Sequence, residues 1–463
     1  MKPLQNLHAR SSRRESALIS SKARGEVEPT HVGCYSFFLT LLLAAILASA
    51  GRAFGGEIWL SSTNSLAWLG QQTNFGAGAL SDPYYGDFDY LMGHFVPANS
   101  TVHLGSGIFW TKGNYNFQIP GGVTLSGEGE SVTMLRRATN YPGYGLRVYC
   151  SLNSTYSNIT VCNLTVDNNA FDCLSNGWTN AVLGVGLLGS GETLEHVTDI
   201  NGYGKDVHLS PEGFQLSVGN YDQHDNKVVG CTVSNFLGAY GDGIAGTGDC
   251  VVEGNRVYLP PQPAGVMQLS VFGINICGSM NGSYITGNYV YGGMDGFHND
   301  TGGDTNLTIA HNVFENICSG VNLTGDDKPY NSVIISHNVM TQQTNYTVYQ
   351  DEMFVVTLTT TKAGETNQNI VVEGNTIGYY QNVPFASDGS QGALYINAGP
   401  GQLNENISIF NNQIDARMPV SFAGNISNLY ASGNLPLNGT NFATANGNPG
   451  LTNVIGSQTV SQH

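Results

Sequence analysis

The chain has 463 residues, with 17 Lys and Arg against 34 Asp and Glu, a formal net charge of −17 at pH 7. Such an acidic surface excludes nucleic acid and anionic lipid as partners. Only 11% of residues are charged and 60 are Gly, so solubility rests on Asn, Ser, Thr and Gly, a composition that favours turns and strands over helices.

In chain order, the first element is an export signal. Arg10, Arg13, Arg14, Lys22 and Arg24 precede the apolar run Phe37 to Ala48, and Ala48-Ser49-Ala50 supplies small residues for cleavage. Residues 1–50 are therefore expected to be a signal peptide, and the protein to be secreted or extracytoplasmic, at the cell surface. An uncleaved anchor is the alternative, because Cys34 to Ala50 spans 17 residues, the lower limit for a membrane span. After cleavage no membrane partner is expected. The mature chain would keep 11 basic and 31 acidic residues, a net −20. Residues 51–74 are expected to form a linker, 75–435 the folded domain and 436–463 a C-terminal tail.

Of eight Cys, seven lie beyond the leader, an odd number for an exported protein. Cys150, Cys162 and Cys173 are near one another in sequence, as are Cys231 and Cys250, and both groups are candidates for pairing. None has CxxC spacing, which argues against a metal–thiolate site.

Two segments then recur. The first reads apolar-x-x-x-Asn-x-apolar: "ITVCNLTV" around Asn163, "VVEGNRV" around Asn255, "YITGNYV" around Asn288, "TIAHNVF" around Asn312, "IISHNVM" around Asn338, "VVEGNTI" around Asn375 and "ISIFNNQI" around Asn412, with Cys231 taking the Asn position in "VVGCTV". Intervals from Cys231 are 24, 33, 24, 26, 37 and 37 residues, the mark of stacked coils with loop insertions. The second segment is x-Gly-apolar: "YGLRV" from Tyr144, "EGFQL" from Glu212, "DGIAG" from Asp242, "FGINI" from Phe272, "DGFHN" from Asp295 and "SGVNL" from Ser319. Each alternates with period two, as a short strand does. Two strands per coil and no amphipathic helix predict an all-β, single-stranded parallel β-helix, a solenoid of roughly ten coils. Its hand should be right, the rule for parallel crossovers, and its Asn residues should stack along the axis.

This alternation resembles the right-handed parallel β-helix proteins of the pectate lyase-like superfamily. "FDYLMGHFVPANSTVHLGSGIFWTKG" (88–113) and "IPGGVTLSGEGESVTMLRR" (119–137) resemble that superfamily's first coil with its N-terminal cap. The resemblance covers roughly 75–435 and implies a polysaccharide partner, but it does not select an activity, because the fold hosts lyases, hydrolases, epimerases and non-catalytic surface proteins. "GDDK", Gly325 to Lys328, supplies the Asp pair of polygalacturonase-like hydrolases, yet no Gly-His-Gly or Arg-x-Lys follows it. Lyases of this kind use calcium on carboxylates together with a basic residue.

Coils stack at about 4.8 Å, so equivalent positions form columns. Glu212 and Asp242 read as consecutive rungs, with Asp295 one further on after Phe272. Carboxylates about 5 Å apart suit a retaining glycosidase, while Asp242 and Asp295, near 10 Å apart, fall just beyond the inverting range. His298 reads as part of an outward column with Arg147, Gln215, Asn275 and Asn322, whose side chains can bond sugar hydroxyls. The catalytic candidates are thus Asp242, Asp295, His298 and Glu212. Asp300, Asp304, Asp326 and Asp327 on neighbouring loops are oxygen donors suited to Ca2+. Asp-Gly and Glu-Gly are also ordinary turn dipeptides, with no functional meaning of their own. The expected function is binding and cleavage of polysaccharide, by hydrolysis or elimination; the alternative is a non-catalytic extracellular surface, adhesion or carbohydrate-binding protein.

Overall fold

In the computed structural model the described residues are 55–113, 119–139, 143–148, 157–177, 182–204, 214–219, 223–238, 240–261, 270–277, 281–299, 303, 305–325, 329–342, 356–360, 366–378, 393–398, 403–415, 420–423, 425–437, 443–446 and 460–462. The segment 1–50, expected to be a signal peptide, lies outside them, as does Cys150. Among the described residues no helix is long and apolar enough to cross a membrane.

The central coils contribute three strands each. One coil holds Cys250–Glu253, Arg256–Tyr258 and Ser270–Cys277; the next holds Tyr284–Thr286, Tyr289–Tyr291 and Asp295–Asn299. These strands pair in parallel with their counterparts one coil on: Val252 with Ile285, Val257 with Val290, Ile274 with Phe297. The crossovers take the right hand that governs parallel connections. The pairing begins at Glu57–Leu60, ahead of the expected start at 75, and continues to Val460–Gln462 inside the expected tail.

The expected two strands per coil become three because a sharp corner divides one of them. The residue before each ladder Asn adopts the left-handed backbone region: Gly254 (φ 65°), Gly287 (64°), His311 (57°), His337 (55°), Gly374 (63°) and Asn411 (56°). Gly is the natural occupant and Asn or His the tolerated substitutes. On the strands either side, alternate residues turn inward. Ile58, Val102, Leu125, Val161, Leu194, Val228, Val252, Ile285, Ile309, Ile335, Val372 and Ile409 belong to one buried core column, each worth about 1.5–3 kcal/mol on burial. A short helix, Phe88–Phe95, buries Phe88, Leu91 and Met92 and packs beside the Gly107–Thr111 strand.

The Asn ladder forms as predicted. From Asn255 through Asn288, Asn312, Asn338, Asn375 and Asn412 to Asn434, each side-chain Nδ2 donates to the Oδ1 of the next rung at 2.8–3.0 Å. The same Nδ2 also donates to a strand carbonyl, Ile285 O in the case of Asn312. The backbone N–H of each rung joins the next Oδ1, and Cys231 N–H joins Asn255 Oδ1 at the head of the ladder. Buried amides are thereby satisfied along the axis, which is what makes them tolerable in a core. Asn163 departs from the expected register: it occupies the left-handed corner (φ 56°) and Leu164 takes the inward place. The expected cysteine pairs are absent among the described residues. Cys162, Cys173, Cys231 and Cys250 are buried and form no disulfide with one another, Cys250 lying opposite Asn226 while the Cys231 N–H donates to Asn255 Oδ1. Burial pushes the Cys231 thiol up to about 12, so it is inert as a nucleophile.

The terminal rung offers the mildest test of the ladder. Asn434→Ala removes the acceptor of two bonds from Asn412, backbone N–H and Nδ2, and the donor to Ile409 O and Ser432 O, and should cost about 1–2 kcal/mol. Urea unfolding checks this, and a midpoint equal to wild type would count against the ladder as a source of stability.

Candidate functional site

The x-Gly-apolar-x segment has a geometry that simple alternation does not give. Phe297 and its partners Ile274 and Val321 point into the core. A Cβ on Gly296 would lie 2.4 Å from the Phe314 ring and 2.8 Å from Gly320 O, so Gly296 faces inward as well. Gly273 is constrained in the same way, by Val290 and Gly296 O. Two successive inward positions bend the strand, and the residues before and after them, three apart, both reach the opposite face. Only Gly fits the first of the two.

Asp295 and His298 consequently touch, His298 Nδ1 lying 2.6 Å from Asp295 Oδ2. From the next coil Asn322 Nδ2 donates to the same Oδ2 at 3.0 Å. Two coils earlier the pattern repeats, with Asn275 Nδ2 donating to Asp242 Oδ2 at 3.0 Å. The Phe272 ring stacks on the His298 imidazole, centroids 4.1 Å apart and planes 14° from parallel. Asp295 is fully buried, and His298 retains 8% exposure. Asp295 Oδ1, Ser319 Oγ and Asn322 Oδ1 are buried without a hydrogen-bond partner among the described residues.

This arrangement sorts the candidates by what each can reach. A buried carboxylate on Nδ1 holds the imidazole in one orientation and stabilises its protonated form, leaving the chemistry to Nε2 on the other side of the ring. Asp295 is walled in by His298 and Asn322 and does not itself face the open surface. Asp242 and Asp295 stand two coils apart, with Phe272 between them, and each is tied to an Asn amide. Neither is presented as one of two open carboxylates flanking a glycosidic bond.

Two expected members of the site shift. Phe214, not Glu212, lies opposite Asp242, and Ser217, not Gln215, lies opposite Ala245 in the His298 column. The inward residue matching Ile244 is Leu216, which follows Gln215 and not a glycine, so "EGF" is not a rung of the "DGI" kind. Glu212 itself lies outside the described residues. Arg147 does share the His298 column, through Gly186, Ser217, Ala245 and Asn275. Asp300, Asp304, Asp326 and Asp327 lie outside the described residues, and among those described no cluster of three or more His, Cys, Asp or Glu is suited to a metal.

Sequence reasoning missed two features. Asn275 and Asn322, expected to meet sugar, use Nδ2 to hold carboxylates; the signal was an Asn placed three after each "xG" in the coil following an acid. The other feature is a pair of buried acids on the far sheet. Glu192, fully buried, accepts the Ile159 N–H at 3.1 Å, and burial pushes it up to about 8. Asp199 accepts from Asn168 Nδ2 at 2.8 Å and is raised well above the carboxylate range by burial, with Asp167 adding repulsion.

This is the parallel β-helix that the sequence resemblance implied. Against protein-family models and against curated proteins the sequence matches nothing. Among solved structures it is similar to a Family 28 exopolygalacturonase from Yersinia enterocolitica (14% identity over 78% of this chain and 72% of that one, TM-score 0.47). It is also similar to alginate lyase AlyF-OU02 in complex with G6 (14%, 80% of each chain, TM-score 0.48). A third likeness is to the Dettilon tailspike protein (14%, 74% of this chain and 60% of that one, TM-score 0.43). At such identities none of these extends to activity.

Proposed function

We propose that this chain is an extracellular protein that binds polysaccharide across the face carrying Phe272, Asn275 and His298, and cleaves it with His298 as general base. The single observation behind this reading is the 2.6 Å contact of His298 Nδ1 with the fully buried Asp295. A buried acid orienting an imidazole is costly to build and is of use where the other nitrogen moves a proton. A screen of the purified protein on plant and algal polysaccharides, following reducing ends and the ultraviolet absorbance of unsaturated products, tests the proposal and separates hydrolysis from elimination. A second reading, a non-catalytic carbohydrate-binding or adhesion protein, is favoured by the sequestration of Asp242 and Asp295 against amides. Binding without new reducing ends on any substrate would select it.

Calcium belongs to the same proposal. A net charge of −17 repels a polyuronate, and Ca2+ on Asp300, Asp304, Asp326 and Asp327 would offset that repulsion. Binding to the folded state alone raises stability by mass action, so the melting temperature should rise by several degrees through a calcium titration. A flat titration removes calcium from the reading.

A further inference from the structure

Around the corner from His298 lies a groove of about 610 Å³, within the range of small-ligand sites. Its walls carry Tyr258 and Tyr291, register partners on successive coils, spaced by about 4.8 Å. Both rings are exposed because their neighbours Val257 and Val290 fill the core. Phe171, 73% exposed, and Leu237 extend the apolar surface. Asn201 and Asn235 bring amide groups to the same groove, Asn235 Nδ2 donating to Asn201 Oδ1 at 3.5 Å and Asn201 Nδ2 to Asp167 Oδ1 at 2.8 Å, both residues held in the left-handed backbone region. From Tyr291 only Gly292, Gly293 and Met294 intervene before Asp295, so the groove adjoins the strand that carries His298.

We propose that this groove binds a neutral glycan, with Tyr258, Tyr291 and Phe171 stacking on sugar rings and Asn201 and Asn235 serving their hydroxyls. Flat apolar rings beside amides match the two sides of a pyranose, one face of C–H groups and an edge of hydroxyls. Among the described residues none lining the groove is charged, so none of them offers a polyuronate a cation or a basic peptide a carboxylate. The proposal shares the polysaccharide partner with the functional reading above but does not require His298 to be a base.

The test uses the full chain in affinity gel electrophoresis with xyloglucan, galactomannan and mixed-linkage β-glucan as neutral probes and polygalacturonate as the anionic control. At least one neutral probe should retard the protein. The double variant Tyr258→Ala/Tyr291→Ala should weaken that retardation about tenfold or more, the loss typical of buried aromatic anchors. Tyr430→Ala, an exposed aromatic outside the groove, should leave it unchanged. Phe171→Ala, at a site too exposed to threaten folding, should weaken it as well and serves if the double variant does not fold. Absence of retardation by every neutral probe, equal retardation of the aromatic variants, or retardation by polygalacturonate alone would overturn the proposal. So would a dimer in sedimentation that Tyr291→Ala dissociates, because the groove would then belong to a second copy. Loss of cleavage in His298→Ala with binding intact in the tyrosine variants sinks the groove and leaves the functional reading standing.

Discussion

His298→Ala is expected to lower turnover on a polysaccharide that the wild type cleaves by a factor of about 10² or more, the usual contribution of a general acid–base group. The variant should still fold, because His298 points away from the core and its neighbours in the column include Ala245 and Asn322, but with a lowered melting temperature, since the buried Asp295 loses a partner. Asp295→Asn should produce a loss of similar size by a different route. The amide nearly preserves the shape but removes the charge that stabilises a protonated imidazole, and it can present N–H instead of oxygen to Nδ1. Because Asp295 is buried and touches no substrate in this reading, its loss should fall on kcat and leave KM nearly constant. A structural role alone would instead lower the melting temperature at constant kcat. If both variants keep wild-type activity on a confirmed substrate, "DGFHND" is turn chemistry, and the search moves to Asp242 and Glu212.

The fold was legible because one residue type has one job at one place. An inward Asn at each corner satisfies its own amide and the strand carbonyl only when another Asn stands above it, so the repeat of Asn255, Asn288, Asn312 and Asn338 is a direct image of the coil. The register slipped where that uniqueness fails. The left-handed corner accepts Gly, His or Asn, so Asn163 was indistinguishable by type from a ladder Asn. At Glu212 the dipeptide Glu-Gly imitates a rung, and the packing that excludes it, Leu216 beside Ile244, depends on a neighbouring coil. The contact between Asp295 and His298 was hidden for a similar reason. Strict alternation puts residues three apart on opposite faces, and the extra inward residue at Gly296 that reunites them follows from Phe314 and Gly320, which are distant in sequence.

Stability should fall as pH rises from about 4.5 to 8, because of Glu192. Its place is one where other coils use a neutral acceptor for a backbone N–H: Asn226 for Glu192, Ser283 for Cys250, Asn367 for Tyr330. Glu192 does the same for Ile159, a task that a protonated carboxyl performs without burying a charge. Burial raises its folded-state value to about 8, with the Ile159 hydrogen bond opposing the shift only in part. In the unfolded chain the group ionises near its ordinary value of about 4.3, while the folded protein keeps the proton until about pH 8. Unfolding therefore releases a proton between these limits, and each unit of pH in that window removes up to about 1.4 kcal/mol. Below the window the stability is at its full value, and above pH 8 this contribution stays flat. Asp89, raised by burial to about 6, adds a loss of the same sign over the lower part of the window. General repulsion in an acidic protein also grows with pH, so the decisive comparison is between wild type and Glu192→Gln, which supplies the same acceptor with no proton to lose. Urea midpoints at pH 5 and pH 8.5 should differ by the equivalent of a few kcal/mol in wild type, and by clearly less in the variant. If the variant keeps the whole slope, the ladder tolerates an ionised Glu192 and the pH dependence has another origin.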